Sequence, residues 1–149
     1  MRRLNAGEWP VDIVEADISI PADLAAKPYL QPIYGCLPFV VRDVIRRYAG
    51  WWSGEPSQMF PTTRKERGDD IVAMCGRDAL LAKARALKEA ALLKRALALA
   101  EIALNANPSD KEAITLNAEI LEAMAAAERS FVARNFFAGA ARQLRARAK

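Results

Sequence analysis

Apolar residues recur at helical spacing over most of the chain, and this pattern predicts an all-α fold of about six helices. The clearest helix begins near Pro38, because proline suits the first helical turn, where its missing N–H is not needed. One face of this helix carries four apolar residues, namely Val41, Val44, Ile45 and Tyr48. Gly50 is placed to end the helix with a positive φ angle.

A capping pattern and a change of helical phase predict the next helices. Thr63 and Glu66 form an S/T-x-x-E capping box, so a helix should begin there and end at Gly76. Residues 77–106 contain no Gly or Pro, which by propensity alone favours one helix of about 30 residues. Their apolar residues nevertheless form two stripes that are out of phase: Leu80, Ala84, Leu87 and Ala91, then Leu93, Ala96, Leu97, Ala100 and Leu104. We therefore expect a short turn or kink near residues 89–92.

The central part of the chain resembles one tetratricopeptide unit. Asn107 and Pro108 should end one helix, and Ser109 with Glu112 forms a second capping box that predicts the start of the next. Five residues are expected on the inner face of that second helix: Ala113, Asn117, Ile120, Leu121 and Met124. The helix–turn–helix stretch of residues 92–126 is close to the 34-residue period of such units. Because there is one copy, we predict a TPR-like helical hairpin rather than a solenoid.

The two ends of the chain differ in character. Residues 1–33 should be irregular, with short helical pieces, because three prolines divide residues 18–32. The last helix should run from about residue 130, with an apolar face of Ala133, Phe136, Phe137, Ala140, Ala141 and Leu144. We therefore predict an N-terminal segment, residues 1–33, followed by a helical domain, residues 34–149.

Two parts of the sequence resemble the dimerisation region of the alkyl sulfatase family. One is VVRDVIRRYAGWW followed by GEPSQMFP, and the other is a closing motif that includes RNFF. The closing motif is matched in order by Glu128, Ser130, Arg134, Asn135, Phe136, Phe137, Ala140 and Ala141, with Ala138 where the family commonly has leucine. The resemblance implies a homodimerisation domain that follows a zinc-dependent catalytic domain of the metallo-β-lactamase fold. Residues before Tyr34 resemble the end of that catalytic domain, so this sequence is either a piece of such a protein or a free-standing relative.

The absence of histidine limits the chemistry that this chain can perform. Ser-His-Asp and Cys-His catalysis and histidine-based zinc sites are excluded, and two cysteines cannot form a four-ligand zinc site. We therefore expect a non-catalytic chain without a cofactor of its own. No apolar run approaches the ~20 residues that cross a bilayer. Because the first residues do not form a secretory signal, we expect a cytoplasmic location, although a parent enzyme could be exported.

Aromatic residues are the candidate functional residues. Paired indoles on a turn are typical of protein interfaces. The resemblance implies that two protomers meet in this domain, so we predict a homodimer interface that includes Tyr48, Trp51, Trp52, Phe131, Phe136 and Phe137. The resemblance adds a metallo-β-lactamase-fold catalytic domain as a second partner. An alternative is a helical adaptor that binds a partner protein or peptide in an apolar groove. Nucleic-acid binding by the basic residues of 129–149 is disfavoured, because a solvated helix face explains them better and they lack the interleaved aromatic residues of a single-strand platform.

Overall fold

The computed structural model describes residues 2–15 and 18–148. Met1, Ala16, Asp17 and Lys149, which fall within the predicted ranges, lie outside the described residues. Nine α-helices, two short 3-10 helices and no strand occur in this part of the chain. The α-helices are α1 (Arg2–Asn5), α2 (Pro10–Glu15), α3 (Ala22–Ala25), α4 (Leu37–Ala49), α5 (Arg64–Cys75), α6 (Arg77–Glu89), α7 (Leu93–Ala106), α8 (Lys111–Ala127) and α9 (Phe131–Ala148). The all-α prediction is confirmed, and the six helices α4 to α9 each contain at least 12 residues.

The chain divides into two compact units. The first contains the described residues up to 61 together with residues 129–132, and the second contains residues 62–128 and 133–148. The first unit therefore groups the N-terminal segment with α4 and with the aromatic turn, the segment after Gly50 that contains Trp51 and Trp52. The boundary predicted between residues 33 and 34 stays a prediction.

The first unit is built from short helices around α4. As predicted, its N-terminal part is irregular, because α1, α2 and α3 contain only four to six residues each. Helix α2 contacts α4 and supplies the buried side chains Ile13 and Val14. Helix α4 has Cys36 as its N-cap and Pro38 in its first turn. It ends at Gly50, whose φ is 81°, as the sequence predicts.

The second unit has a core formed by α6, α7 and α8. Helix α7 is central, because it contacts α5, α6 and α8. The core is rich in alanine and consists of Leu81, Ala84, Leu87, Ala96, Ala100, Ala103, Ala113, Leu116 and Ile120. Small side chains let helix axes approach closely, as the TPR-like interpretation of α7 and α8 requires. Ala91 was predicted to extend the first apolar stripe, but it is exposed because it lies in the turn after α6.

A buried glycine lets α5 cross α7 at short range. A Cβ atom at Gly68 would lie 2.7 Å from the backbone nitrogen of Ala106 and 3.0 Å from the carbonyl oxygen of Ile102. Lys65, one turn earlier, donates a hydrogen bond of 3.3 Å to the Ala106 carbonyl. Gly68 therefore makes this crossing sterically possible.

The turn between α6 and α7 confirms the predicted break. Ala91 has a φ of 57°, the Leu92 N–H donates to the Leu87 carbonyl, and the Ala91 N–H donates to the Lys88 carbonyl. These two hydrogen bonds define a Schellman motif, in which the residue with positive φ is usually glycine. Alanine takes that position here, which explains why the sequence lacks an obvious breaker.

The capping predictions have different outcomes. The box formed by Thr63 and Glu66 is confirmed in full at the start of α5. The box formed by Ser109 and Glu112 is wrong, because Asp110 is the N-cap of α8 and accepts hydrogen bonds from the N–H groups of Glu112 and Ala113. The Ser109 N–H instead donates to the side chain of Asn107, which places Ser109 in the turn.

Helix α9 has the predicted position but a narrower buried face. Ala133 and Ala141 are buried, and Phe137, Ala140 and Leu144 are partly buried. Phe136 was predicted for the same apolar face, but it is 71% exposed. Its aromatic ring therefore lies on the surface of the second unit.

Candidate functional site

The predicted aromatic residues lie mainly on the surface. Trp51 is 74% exposed and Tyr48 is 70% exposed, and Trp52, Phe131 and Phe136 also have large exposed areas. Phe137 is partly buried. Four of the six belong to the first unit, whereas Phe136 and Phe137 belong to the second. The structure therefore groups Tyr48, Trp51 and Trp52 at the end of α4. The role of all six residues in a dimer interface stays a prediction.

The segment after α4 forms a tight turn that holds the second indole in place. The ring N–H of Trp52 donates a hydrogen bond of 3.2 Å to the carbonyl oxygen of Glu55. The Glu55 N–H donates in turn to the hydroxyl of Ser53, at 3.3 Å. Trp52 is thus fixed by the turn, while most of the neighbouring Trp51 side chain faces solvent.

A third tryptophan, which the sequence analysis did not single out, packs against the same turn. Gly54 has a φ of 96°, and a Cβ atom there would lie 3.0 Å from Cζ3 of the Trp9 ring. Trp9 and Trp52 both line a cavity of about 250 Å³ in the first unit. No local pattern links Trp9 to Gly54, because the two residues are far apart in sequence.

Residues 129–132 complete the first unit. The N–H groups of Phe131 and Val132 donate to the carbonyl oxygens of Ile33 and Tyr34, at 2.5 and 3.0 Å. The buried Ser130 hydroxyl also donates to the Tyr34 carbonyl, at 3.0 Å. The rings of Tyr34 and Phe131 are stacked, with centroids 6.0 Å apart and planes inclined by 16°. Tyr34 is therefore an exposed aromatic residue of the first unit that lies beside Phe131, although it was not among the predicted interface residues.

Among its described residues, the first unit has many more exposed than buried large hydrophobic residues. Of the 18 exposed large hydrophobic residues in the described parts of the chain, only Met74, Leu92 and Phe136 lie outside it. The hydrophobic residues that it buries are Ile13 and Val14, counted over the same described residues. Exposed apolar patches of this extent mark surfaces that bind another macromolecule.

Ion pairs that the sequence analysis missed connect α6 with α8. Arg77 contacts Asp110 and Glu112, Arg85 contacts Glu112, and Lys88 contacts Glu119 at 2.5 Å. The hydrogen bonds from Arg77 lower the pKa of the Asp110 carboxyl, and the same contact raises the pKa of the Arg77 guanidinium. Opposite charges separated by more than 20 residues give no local signal, so only the tertiary structure reveals these pairs.

The basic residues of α9 take part in contacts within the second unit. Arg145 donates hydrogen bonds of 2.9 and 2.8 Å to the two carboxylate oxygens of Glu122, and this contact lowers the pKa of Glu122. Arg147 donates to the Pro108 carbonyl at 2.6 Å. These arginines therefore have structural partners, consistent with a helix surface rather than a nucleic-acid site.

Other features of the described residues bear on the alternative functions. A cavity of about 340 Å³ in the second unit is lined by four charged residues together with Thr115 and Leu116, whereas the adaptor alternative predicts an apolar groove. Within residues 2–15 and 18–148, no three Cys, Asp or Glu side chains are placed to bind a metal ion. The same residues form no helix with the length and apolarity needed to cross a bilayer. The candidate functional site is the group of exposed aromatic residues of the first unit, which includes Tyr34, Tyr48, Trp51, Trp52 and Phe131.

An all-helical fold with exposed aromatic side chains is typical of a protein-association module. The sequence matches the alkyl sulfatase dimerisation family over residues 10–147, and the chain belongs to that family. It is similar to an (R)-specific secondary-alkylsulfatase from a Pseudomonas species, with 32% identity over 134 residues, or 89% of this chain and 20% of that protein. It is also similar to a linear primary-alkylsulfatase from Pseudomonas, with 35% identity over 86 residues, or 56% of this chain and 16% of that protein.

A solved structure shows the same fold. The stereoselective inverting sec-alkylsulfatase Pisa1 from Pseudomonas has a TM-score of 0.90 and 29% identity, over 97% of this chain and 23% of that one. The chain spans about a fifth of the length of the curated relatives that it matches over most of its own length. Similarity to these proteins therefore concerns one helical domain of larger molecules.

Proposed function

We propose that this chain is a non-catalytic module that associates two copies of itself, and so holds together two protomers of an alkyl sulfatase. The observation that supports this proposal most directly is the concentration of exposed aromatic and aliphatic side chains in the first unit, whose described residues include two buried hydrophobic ones, Ile13 and Val14. Membership of a dimerisation family supports a second copy as the partner that covers this surface. The predicted contact residues are Tyr48, Trp51, Trp52, Phe131, Phe136 and Phe137.

Solution mass tests this proposal directly. Light scattering over a dilution series should give twice the chain mass of 16.4 kDa, and this value should persist on dilution. A monomer mass at every concentration would overturn the proposal for this chain. The measurement needs no ligand and no assumption about which residues form the interface.

The aromatic turn can then be tested by mutation. Trp51→Ala should raise the dimer dissociation constant by about 30-fold or more, because a central interface tryptophan contributes about 2 kcal/mol or more. Tyr29→Ala is the matched control, since Tyr29 is an exposed aromatic residue of the same unit outside the predicted set. A double variant of Trp51 and Trp52 that remains a folded dimer of unchanged affinity would exclude the turn from the interface.

The chemistry of the parent protein belongs to a different part of the molecule. By analogy with the named relatives, the substrates of the parent protein are alkyl sulfate esters. The family resemblance implies that a zinc-containing catalytic domain hydrolyses them. The residues of this chain do not fit such a metal centre, because the sequence contains no histidine.

We expect no sulfate release from an alkyl sulfate when this chain is incubated with zinc. Sulfate release above the buffer control would contradict the non-catalytic assignment. The cytoplasmic location and the association with a catalytic domain remain part of the same proposal.

A further inference from the structure

Helix α4 has a strongly amphipathic sequence but no buried residue. Its 13 residues place apolar side chains on one side and Arg42, Arg46 and Asp43 elsewhere. A helix with such a pattern normally buries its apolar face against a core. Here Val40 and Val44 are exposed, and Tyr48 is more exposed than either of them. The apolar face of α4 is therefore only partly covered in the isolated chain.

Three of the exposed residues form an apolar stripe that winds gradually around the helix. Val40, Val44 and Tyr48 follow one another at intervals of four residues, so each advances by roughly 40° around the axis. Val41 and Ile45 each follow a stripe residue by one position, and they form one edge of the stripe, which is apolar and partly buried. Asp43 and Arg47 each precede a stripe residue by one position, and they form the opposite edge, which is exposed and charged.

These two edges determine how the helix can pair with a copy of itself. In a parallel two-fold pair, the charged edge of each helix would lie against the apolar edge of the other. In an antiparallel pair like edges meet, and Asp43 of one copy comes within one helical turn of Arg47 of the other. Each Asp43 then lies along the axis between Arg47 and Asp43 of the other copy, so the charges on the shared edge balance, and the apolar edges meet each other. The antiparallel arrangement is therefore the one that matches the polarity of the two edges.

We propose that α4 packs antiparallel against α4 of a second copy, with the two-fold axis at the level of Val44. Val40 of each copy then contacts Tyr48 of the other, and the two Val44 side chains contact each other across the axis. This inference rests on the proposed function, because it names the part of the dimer interface at which the two copies meet. Trp51, which follows immediately after Gly50, lies near the end of this helix pair and extends the contact.

The stripe provides the centre of an interface but not all of its area. Tyr48 and Trp51 are each exposed by at least 70%, and together they offer roughly 300 Å² of the approximately 800 Å² that each partner buries in a standard interface. The remaining area must come from other exposed residues of the first unit. Tyr34, Phe131 and Trp52 are three of the exposed aromatic residues that could supply it.

Cysteine cross-linking tests the proposed helix pair. In a background with Cys36→Ser and Cys75→Ser, Val44→Cys should form a disulfide-linked dimer on mild oxidation, because a residue on the axis meets its own copy. When the Val40→Cys and Tyr48→Cys variants are co-expressed, position 40 of one copy should form a disulfide with position 48 of the other. Either variant expressed alone should give much less linked dimer. Arg42→Cys is the matched control, because it lies on the opposite side of the same helix and should give no linked dimer.

A second variant tests the same pair without oxidation. Val44→Arg should raise the dimer dissociation constant more than about tenfold, because two like charges would meet at the axis. Arg42→Lys should leave that constant unchanged. Helical circular dichroism checks that each variant is folded, which is expected since Val44 is exposed in the chain.

The outcomes separate this inference from the proposed function. A persistent dimer without cross-links at position 44 or between positions 40 and 48 would overturn the α4 pair and leave the dimerisation proposal standing. A monomer at all concentrations, measured on the unmodified chain, would overturn both. A dimer with cross-links at these positions, and none at position 42, would establish the antiparallel pair.

Discussion

Arg77 and Asp110 form a bidentate salt bridge that joins the first turn of α6 to the start of α8. Arg77 Nε and Nη2 donate hydrogen bonds of 2.8 Å to the two carboxylate oxygens of Asp110. The same carboxylate accepts the N–H groups of Glu112 and Ala113 and thereby caps α8. One largely buried side chain thus satisfies a helix end and fixes the relation between two core helices.

Asp110→Ala should lower the free energy of unfolding by about 2–3 kcal/mol, because it removes an N-cap and leaves Arg77 without its most buried partner. Chemical denaturation followed by circular dichroism measures this change. Asp78→Ala is the matched control, since Asp78 also contacts Arg77 but its side chain is 89% exposed. That control should cost no more than about 0.5 kcal/mol. Equal losses in the two variants would show that the capping role of Asp110 is unimportant.

The stability of the second unit should decrease in acid. The Arg77 hydrogen bonds lower the pKa of Asp110, and the Arg145 hydrogen bonds lower the pKa of Glu122. A carboxyl group whose pKa is lower in the folded state stabilises the fold above its unfolded pKa, which is about 4. This contribution is lost as the pH falls through the folded-state pKa. Unfolding free energies measured at pH 7, 4 and 3 should therefore decrease in that order, and Asp110→Asn should reduce the difference between pH 7 and pH 3. An unchanged pH dependence in Asp110→Asn would contradict the assignment.

Ala91→Gly should stabilise the protein by about 1 kcal/mol. Ala91 has a φ of 57°, and a side chain in this left-handed region costs about 1–2 kcal/mol, which glycine avoids. Ala90→Gly is the matched control, because Ala90 is the preceding residue and its φ is −77°. The control should be neutral or destabilising, since glycine there only adds flexibility to the unfolded chain. The midpoint of thermal unfolding distinguishes the two variants, and a lower midpoint for Ala91→Gly would contradict this explanation.

Gly68→Ala should destabilise the protein by about 1–3 kcal/mol, although alanine is the better helix former. The added methyl group would lie 2.7 Å from the Ala106 backbone nitrogen, so α5 and α7 would have to move apart. Gly139→Ala is the matched control within another helix, because the nearest atom to a Cβ there is an Arg142 side-chain nitrogen at 3.8 Å. The control should gain about 0.5–1 kcal/mol from helix propensity alone. Similar effects of the two substitutions on the denaturation midpoint would show that the crossing can relax.

Helix boundaries were predictable where the signal is local. Thr63 and Glu66 cap α5 as the sequence indicates, and Gly50 ends α4. The break after Glu89 was found from the phase of the apolar residues, although no glycine or proline marks it. The cap of α8 was placed one residue early because Ser109 and Asp110 are both good caps, and the choice depends on Arg77, which lies 33 residues away.

The candidate site was predictable only in part. The paired indoles after Gly50 drew attention to the aromatic turn, and Trp51 is indeed exposed. Trp9 and Tyr34 were missed because each contacts a residue that is remote in sequence. Trp9 lies against Gly54, and Tyr34 stacks on Phe131. Phe136 shows the opposite error, since its helical spacing suggested an apolar face that the fold does not cover.

The hydrogen bond from Ser130 to the Tyr34 carbonyl spans 96 residues of sequence, and it has a consequence for synthesis on the ribosome. The first unit cannot be completed until residue 132 has left the exit tunnel, so its early residues must wait while the second unit is made. Synthesis of the intervening residues, roughly 70 in number, takes about 4–14 s at typical translation rates. During this interval the exposed apolar residues of the nascent N-terminal segment are available to chaperones and to neighbouring nascent chains.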